Sequence, residues 1–533
     1  MCNLNLTITR QFKINNKPPM TQFIESFFDT YTSNFKLWSK KTDSTAIDDQ
    51  EVIFQAPMFK IDKQKNKLKE RYFVLTRDKF FYLKSEKTKK IRGVMDTRFV
   101  RVEYSQEEGG KHAVRFNIRF IKNMKYCDFI LSDEKEFKEW KRQLSKVFIQ
   151  SDFHTKFNAI KMIGKGSFAR VYLVEDKDTM VKYAVKAFSK EYLLSQTKGK
   201  ESLINEIEIM QHLKNEFVMS LEELHESKNS IYLVLELLEG GELFNYISGN
   251  KSLTNKDLYR VMKCLLSALA FLAENGIMHR DLKPENMILK NKDKLEDCVL
   301  KLVDFGLATR CDVEEYLFKR CGTPGYVAPE IINAPSNENI KYTPKCDVFS
   351  AGVILYIMIA GKSPFDGKSF QEILSQNKQC NINFGNPKLK KFPHALNLLQ
   401  KMLEVNPLKR ISAKEALKHE FFASLEKHSK KETPDDEVIS NNLKEFQAKE
   451  KAQLKNADKD NLSLVVRDPV INGETNTVND SNSDGGILSF KNMNKKPVAN
   501  DKRASIFKYV MMKNGDVPND LKNDSFQSKD SDS

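Results

Sequence analysis

Between residues 51 and 150 the chain alternates short apolar-rich runs with polar breaks. RYFVLT, KFFYLK, FVRVEY, AVRFNIRF and YCDFILS carry the aromatic and β-branched residues of strands. TRD, SEKTKK and QEEGGK separate them as turns. The period then changes. From about Asp133 to Ile149 the apolar residues Phe137, Trp140, Leu144 and Val147 fall 3, 4 and 3 positions apart. That spacing is one face of a helix, with Ser132 or Asp133 available as its cap. Residues 51–150 therefore predict several strands closed by one helix. Ahead of them, residues 1–50 are polar and mixed apart from Phe23, Phe27, Phe28, Phe35 and Trp38. Those aromatics either cover a neighbouring domain or form a short helix of their own. No internal repeat is present.

Residues 157–423 read as a second, larger domain, and the chain turns polar after about residue 424. Within 424–457, Ile439, Leu443 and Phe446 share one face of a possible regulatory helix over 438–457. The remainder, 458–533, is rich in Asn, Asp, Ser and Lys and is expected to be disordered. A length of 533 residues exceeds what one compact core usually spans. No run of 18 apolar residues occurs, which excludes a spanning helix. The opening MCNLNLTITRQFK lacks the pattern of a secretory leader, and Cys2 stands where N-myristoylation needs glycine. Eight cysteines lie singly, without a CxxC pair, and are expected to be reduced thiols of a cytosolic protein. The net charge of +15 suits nucleic acid, anionic lipid or acidic partners without choosing among them.

The chemistry is carried by motifs in a fixed order. Ile163-Gly164-Lys165-Gly166-Ser167-Phe168-Ala169-Arg170-Val171 is a glycine-rich turn between two strand-like runs, and glycines let a backbone approach phosphate without a Cβ in the way. The third glycine position holds Ala169, and no GK[ST] closes a Walker loop. Lys186 ends the apolar run Tyr183-Ala184-Val185, where a lysine is costly without an anionic partner. The following helical segment supplies one, Glu206 rather than Glu208 by its register with the flanking apolar residues. His279-Arg280-Asp281-Leu282-Lys283-Pro284-Glu285-Asn286 comes next, then Asp304-Phe305-Gly306, then the GTPGYVAPE stretch from Gly322 to Glu330.

Together these motifs make residues 157–423 resemble a eukaryotic protein kinase domain. The resemblance implies a bilobal fold, ATP and Mg²⁺ as cofactors, and roles for the motif residues. Ile163 to Ala169 and Val171 would cover the nucleotide. Ala184 and Leu235 would border the adenine, with Glu236 to Leu238 as the hinge. Lys186, paired with Glu206, would hold phosphates. Asn286 and Asp304 would hold metal, Asp281 would orient the substrate hydroxyl, Lys283 would neutralise the γ-phosphate, and Thr323 would pin Asp281 and Lys283. Glu330 with Arg410 implies a buried ion pair, and Asp347 a support for the catalytic loop. Lys283 in HRDLKPEN resembles serine/threonine rather than tyrosine kinases, and GVILYIMIAGKSPF and NPLKRISAKEALKHEFF resemble the calcium/calmodulin-dependent group. Glu242 matches an acid that such kinases use for a substrate arginine three residues before the acceptor; otherwise it is a ribose contact or a helix-start carboxylate. Glu285 is a second candidate for substrate contact. Residues Glu314 to Cys321 lack a Ser or Thr at the usual activation-loop phosphosite, so Glu314 or Glu315 is expected to answer Arg280 as a fixed charge.

Residues 51–150, with the Trp140 helix, resemble a pleckstrin-homology domain, a bent β-barrel capped by one helix. Lys60, Lys69 and Arg71 match that family's basic pattern on the first two strands. From Lys60 to Arg92 there are 13 basic and 4 acidic residues. Such a cluster attracts multivalent phosphate, as in a phosphoinositide headgroup; the plain alternative is a solvated basic face. The fold class is thus multi-domain α+β, with a kinase fold preceded by a pleckstrin-homology domain and followed by a tail. In the resembled group a helix after the kinase domain often blocks the site and binds calmodulin. Here Glu445 and Glu450 among the lysines weigh against calmodulin, and docking on the C-terminal lobe or a solvated linker are the other readings. The chain reads as a cytoplasmic kinase acting on protein substrates with peripheral membrane recruitment. The competing class is a non-catalytic pseudokinase scaffold at the membrane, and no motif supports nucleic-acid binding.

Overall fold

The computed structural model describes residues 25–30, 35–39, 47–62, 67–87, 90–108, 114–166, 168–245, 255–291, 299–335, 341–423 and 446. Seven antiparallel strands come first: β1 (Phe54–Asp62), β2 (Lys67–Leu75), β3 (Lys79–Leu83), β4 (Ile91–Asp96), β5 (Arg101–Glu108), β6 (Val114–Lys122) and β7 (Lys125–Leu131). They hydrogen-bond in the order β4-β3-β2-β1-β7-β6-β5. The sheet bends around an aromatic core in which Phe73, Phe80, Phe120, Phe129, Trp140 and Phe148 are fully buried. Five of the strands coincide with the apolar-rich runs. The other two are masked in the sequence by residues that disfavour strands, Pro57 in β1 and Gly93 in β4. Pro57 is tolerated because β1 pairs with β7 through Phe59 and Lys60 alone, leaving that edge open at position 57. Gly93 lies opposite Tyr82, and a Cβ there would come 2.2 Å from Tyr82 Cε1. Only glycine lets that ring lie flat across the neighbouring strand.

Helix α1 (Glu134–Leu144) closes this domain, with the Asp133 side chain accepting from the Glu136 amide at 2.8 Å. It stops short of the expected Ile149. Residues Ile149–Gln150 instead form β8, which pairs in parallel with Arg101–Val102 of β5 and with Leu224–His225 of the next domain. Two open strand edges offer this dipeptide more hydrogen bonds than another helical turn would, and Phe148 and Ile149 are buried as a result.

The second domain continues the same sheet with β9 (Phe157–Lys165), β10 (Ala169–Asp176), β11 (Lys182–Ser189), β12 (Leu221–Glu226) and β13 (Ser230–Glu236), ordered β12-β13-β11-β10-β9. Helices α2 (Lys190–Ser195) and α3 (Gly199–His212) intervene between β11 and β12. A helical lobe follows, with α4 (Asn255–Glu274) and α5 (Lys345–Ala360); α5 is apolar on all sides and lies in the centre of that lobe. Arg410, wholly buried, forms a bidentate pair with Glu330 at 2.7 and 2.9 Å.

The described parts of the N-terminal extension cover neighbours, and the helical structure among them is a single 3-10 turn at Asp49–Glu51. Phe27 and Phe28 are buried with the core of the second domain. Leu37 is buried with the barrel core, and Ser39 bridges to Val94. Phe23 lies outside the described residues, as do the tail beyond 423 apart from Phe446 and the expected regulatory helix with Ile439 and Leu443.

Candidate active site

Lys186 stands on β11, opposite Val171 of β10 and Leu233 of β13, so its side chain emerges from the middle of a three-strand ladder. Its ammonium lies 2.6 Å from Glu206 Oε1 on α3 and 3.3 Å from Asp304 Oδ1. All three groups are buried. Burial alone would push the Lys186 ammonium down, but the two carboxylates outweigh it and its pKa is raised. For Glu206 burial dominates and raises the carboxyl, against the pull of Lys186. Asn205, the residue before Glu206, donates from its side chain to the Ala308 carbonyl at 2.8 Å and ties α3 to the segment after Asp304.

The second half of the site is a loop held from beneath. The two oxygens of Asp347, on α5, accept from the amides of His279 and Arg280 at 2.7 and 2.8 Å. His279 Nε2 meets the Val303 carbonyl at 3.0 Å. Arg280 and Asp304 both take left-handed backbone angles, φ +64° and +62°, which side-chain-bearing residues rarely adopt. These contacts aim Asp281 into the cleft. Its carboxylate accepts from Thr323 Oγ1 at 2.6 Å and lies 2.9 Å from Lys283 Nζ, and Lys283 also donates to Thr323 Oγ1 at 3.0 Å. Burial would raise the Asp281 carboxyl; Lys283 and Thr323 reverse that and hold it below the ordinary value. Asn286 donates from its side-chain Nδ2 to the Asp281 carbonyl at 2.8 Å, which leaves its side-chain oxygen as the acceptor end.

The glycine-rich turn is a hairpin of β9 and β10, with Gly164 opposite Val171 and the Gly166 amide donating to the Ala169 carbonyl at 2.8 Å. Lys165 and Phe168 are exposed, Ala169 is buried, and Ile163 packs against the core. Ser167 lies outside the described residues. Ala184 and Leu235 are directly paired across β11 and β13, and both are buried with Leu238. The Glu236 side chain is already engaged, accepting from Lys301 Nζ at 2.7 Å and the Ser220 amide at 2.8 Å. Any nucleotide contact at Glu236 is therefore left to its main chain. Glu242 is buried and accepts from Asn245 Nδ2 at 2.7 Å, as a helix-start carboxylate would. Glu285 Oε2 is buried without a hydrogen-bond partner among the described residues. The ring of Phe446 meets Phe244 edge-on at 6.3 Å, two residues from Glu242.

Arg280 corrects an expectation. Its guanidinium lies over the Tyr316 ring at 5.3 Å and donates to the carbonyls of Leu307 and Phe318 at 2.9 and 2.7 Å. Glu315 points away and pairs with Lys319 at 3.1 Å. Tyr316 stacks on Tyr342 at 5.2 Å and its hydroxyl accepts from the Tyr342 amide at 3.0 Å. An aromatic ring in place of a charge makes no recognisable sequence pattern, so Tyr316 was not visible beforehand.

On the barrel, Lys60 is directly opposite Lys69, and Met58 opposite Arg71. All four face the concave side of the sheet, where Met58 is buried. The Lys60 ammonium lies 4.2 Å from the Tyr82 ring and 4.6 Å from the Trp38 ring. Arg71 donates to the Glu70 carbonyl at 2.7 Å. Trp38 donates to Cys127 Sγ at 3.3 Å, and the Phe35 carbonyl accepts from Lys125 Nζ. Residues 35–39 thus lie against β1, β3, β4 and β7 beside Lys60, a cover not foreseen for the basic cluster.

Comparison with known protein families matches residues 157–422 to the protein kinase domain and residues 52–148 to the PH domain. Calcium-dependent protein kinase 4 of Plasmodium berghei is 37% identical over 311 residues, 57% of this chain and 57% of its own length. A probable myosin light chain kinase of Dictyostelium discoideum is 39% identical over 266 residues, 49% of this chain and 82% of its own. Calcium-dependent protein kinase 7 of Arabidopsis thaliana is 36% identical over 278 residues, 52% of this chain and 50% of its own. The chain thus spans about half the length of the calcium-dependent relatives it matches.

Proposed function

This chain belongs to the protein serine/threonine kinases and carries an N-terminal PH domain, and we propose that it transfers the γ-phosphoryl group of Mg-ATP to a serine or threonine with arginine three residues before it. The reading is carried by one observation: the Lys186 ammonium set between the Glu206 and Asp304 carboxylates, all buried. One ammonium between two carboxylates leaves an excess of negative charge that a metal cation at Asp304 would offset, freeing Lys186 to hold phosphate. The donor set fits a hard cation, since the Asp304 carboxylate and the Asn286 side-chain oxygen are oxygen ligands of the kind Mg²⁺ takes. Mg²⁺, when bound, supplies charge neutralisation at the phosphates.

The chain's own residues divide the remaining work. Asp281, kept ionised by Lys283 and Thr323, accepts the hydrogen bond of the attacking hydroxyl and so orients it. Lys283 stays charged beside Asp281 and neutralises charge on the transferred group. Ile163, Gly164, Lys165, Gly166, Ser167, Phe168, Ala169 and Val171 enclose the nucleotide from above, with Ala184, Leu235, Glu236 and Leu238 at the base. Glu285, with a buried oxygen that lacks a partner among the described residues, and Glu242 receive basic residues of the substrate. Lys60, Lys69 and Arg71 bind an anionic phosphoinositide headgroup and bring the kinase to a membrane surface. Phe446 against Phe244 supports docking of the C-terminal segment beside Glu242.

The test is phosphate transfer from Mg-ATP to a peptide with arginine three residues before serine, using the full chain, with Asp304→Ala as blank. Transfer above the blank, weakened when the arginine becomes alanine, is expected. If the full chain and a chain ending at residue 425 both match the blank, the pseudokinase scaffold is the better reading.

A further inference from the structure

Helix α3 carries Glu206, yet both of its ends are held by parts of the chain outside the kinase domain. At its first turn, the Lys200 ammonium lies 5.2 Å from the Phe27 ring. At its last turn, His212 Nε2 lies 2.8 Å from Asp78 Oδ1 in the β2–β3 turn of the barrel. Phe27 and Phe28 are 7% and 3% exposed and belong to the same buried cluster as Leu203, Ile207 and Ile209 of α3.

The segment 25–30 is anchored to both domains at once. Glu226, at the end of β12, accepts from Ser26 Oγ at 2.6 Å and from the Phe27 amide at 2.7 Å. Its charge is balanced by Lys190 Nζ at 2.7 Å. On the barrel side, Asp29 Oδ1 accepts from the Asn123 amide at 2.7 Å, and Asn123 Oδ1 accepts from the Thr30 amide at 2.9 Å. Phe28 stacks on Phe99 of the barrel at 4.7 Å, with the planes 2° apart. Four anchors on six residues, one of them a buried carboxylate shared with a lysine, make a specific seat. Scattered apolar contact would not produce it.

We propose that Phe27 and Phe28, with the Asp78 and Phe99 edge of the PH domain, are positioning residues for the Lys186–Glu206 pair. They set the place of α3 from behind, and through it the carboxylate that holds Lys186. Bringing a helix and a strand together around a buried ion pair costs conformational freedom. Here that cost is offset by burying two phenylalanines supplied from residues 25–30, while Tyr316 in place of a phosphate steadies the activation segment. The inference rests on the kinase reading for its activity arm alone.

The full chain is used for the test, comparing wild type with Phe27→Ala/Phe28→Ala and Phe27→Leu/Phe28→Leu. Two quantities are read: amide hydrogen exchange over residues 200–212, and KM for ATP against kcat. The alanine pair is expected to speed exchange over 200–212 at least tenfold and to raise KM for ATP at least fivefold. Exchange in α5 should stay unchanged, and the leucine pair should return both quantities to within twofold of wild type. Should the alanine pair fail to fold, Ser26→Asp carries the same test, since it sets a carboxylate against Glu226; the same two changes are expected. Exchange over 200–212 and KM both within twofold of wild type would overturn the proposal, as would equal acceleration in α5, the mark of general destabilisation. A wild-type chain without transfer would sink the kinase reading, while the exchange measurement would still decide whether residues 25–30 order α3.

Discussion

The kinase cleft and the barrel mouth both gather cations, on opposite plans. In the cleft each lysine is matched: Lys186 to Glu206 and Asp304, Lys283 to Asp281. On the barrel, Lys60 and Lys69 face each other with Arg71 nearby, in a stretch of 13 basic and 4 acidic residues. Burial explains the difference. A charge withdrawn from water needs a partner, so the cleft is assembled before its ligand arrives. The half-buried barrel cluster carries an excess of cations, Lys60 resting on the Tyr82 and Trp38 rings, and its attraction for an anion is at the mercy of salt. The first plan gives geometry and the second gives attraction.

The comparison breaks most visibly at Asp281. Asp281→Asn keeps the shape and removes the charge, so steady-state kinetics should show kcat falling by roughly a thousandfold with ATP binding little changed. A drop below tenfold would mean that orientation, not charge, is the contribution of this residue. Acid tests the paired plan next. Glu223 lies between Lys156 at 2.5 Å and His225 at 2.8 Å. Burial opposes its ionisation, but His225 and Lys156 win and lower it to about 2 from an ordinary 4.5. Its folded pKa lies below the unfolded one, so its contribution is complete above pH 4.5 and is lost as pH falls towards 2. That contribution is about 3 kcal/mol. Chemical denaturation at stepped pH should show Glu223→Gln losing less stability than wild type between pH 4.5 and 2; parallel curves would refute the pairing.

On the barrel the effects are smaller and additive. Lys69→Ala/Arg71→Ala should weaken pelleting with phosphoinositide vesicles about thirtyfold, at about 1 kcal/mol per basic residue. Transfer to a soluble peptide should not change. Unchanged pelleting would leave a solvated basic face. The smallest effect belongs to Arg280. Because Tyr316 and main-chain carbonyls occupy its guanidinium, phosphatase treatment should alter kcat by less than twofold. Abolished activity would show that a phosphate elsewhere is required.

That Lys186 meets Asp304 and Asn286 meets Asp281 was legible as a grouping because their motifs follow one another in a fixed order, and the phosphoryl-transfer roles given to them remain our proposal. The strands of the barrel were legible where alternation is strong and obscure at Pro57 and Gly93, where local propensity yields to an open edge and to the Tyr82 ring. The end of α1 was misread for a similar reason: Val147 keeps helical spacing, yet β8 finds partners supplied by strands nearly fifty residues before and seventy-five after it. Residues 25–39 were the least legible. Two phenylalanines and a tryptophan announce burial, but nothing in their spacing says that one pair sits on the kinase and the other ring on the barrel.

The two-residue strand β8 deserves its last word as a matter of surveying. It joins barrel and kinase lobe into one run of thirteen strands, with no slack tether between them. A headgroup caught at the barrel mouth would then fix the altitude and tilt of the cleft above the bilayer. Substrates would be chosen by how far their serine or threonine stands from the membrane, as well as by the residues around it.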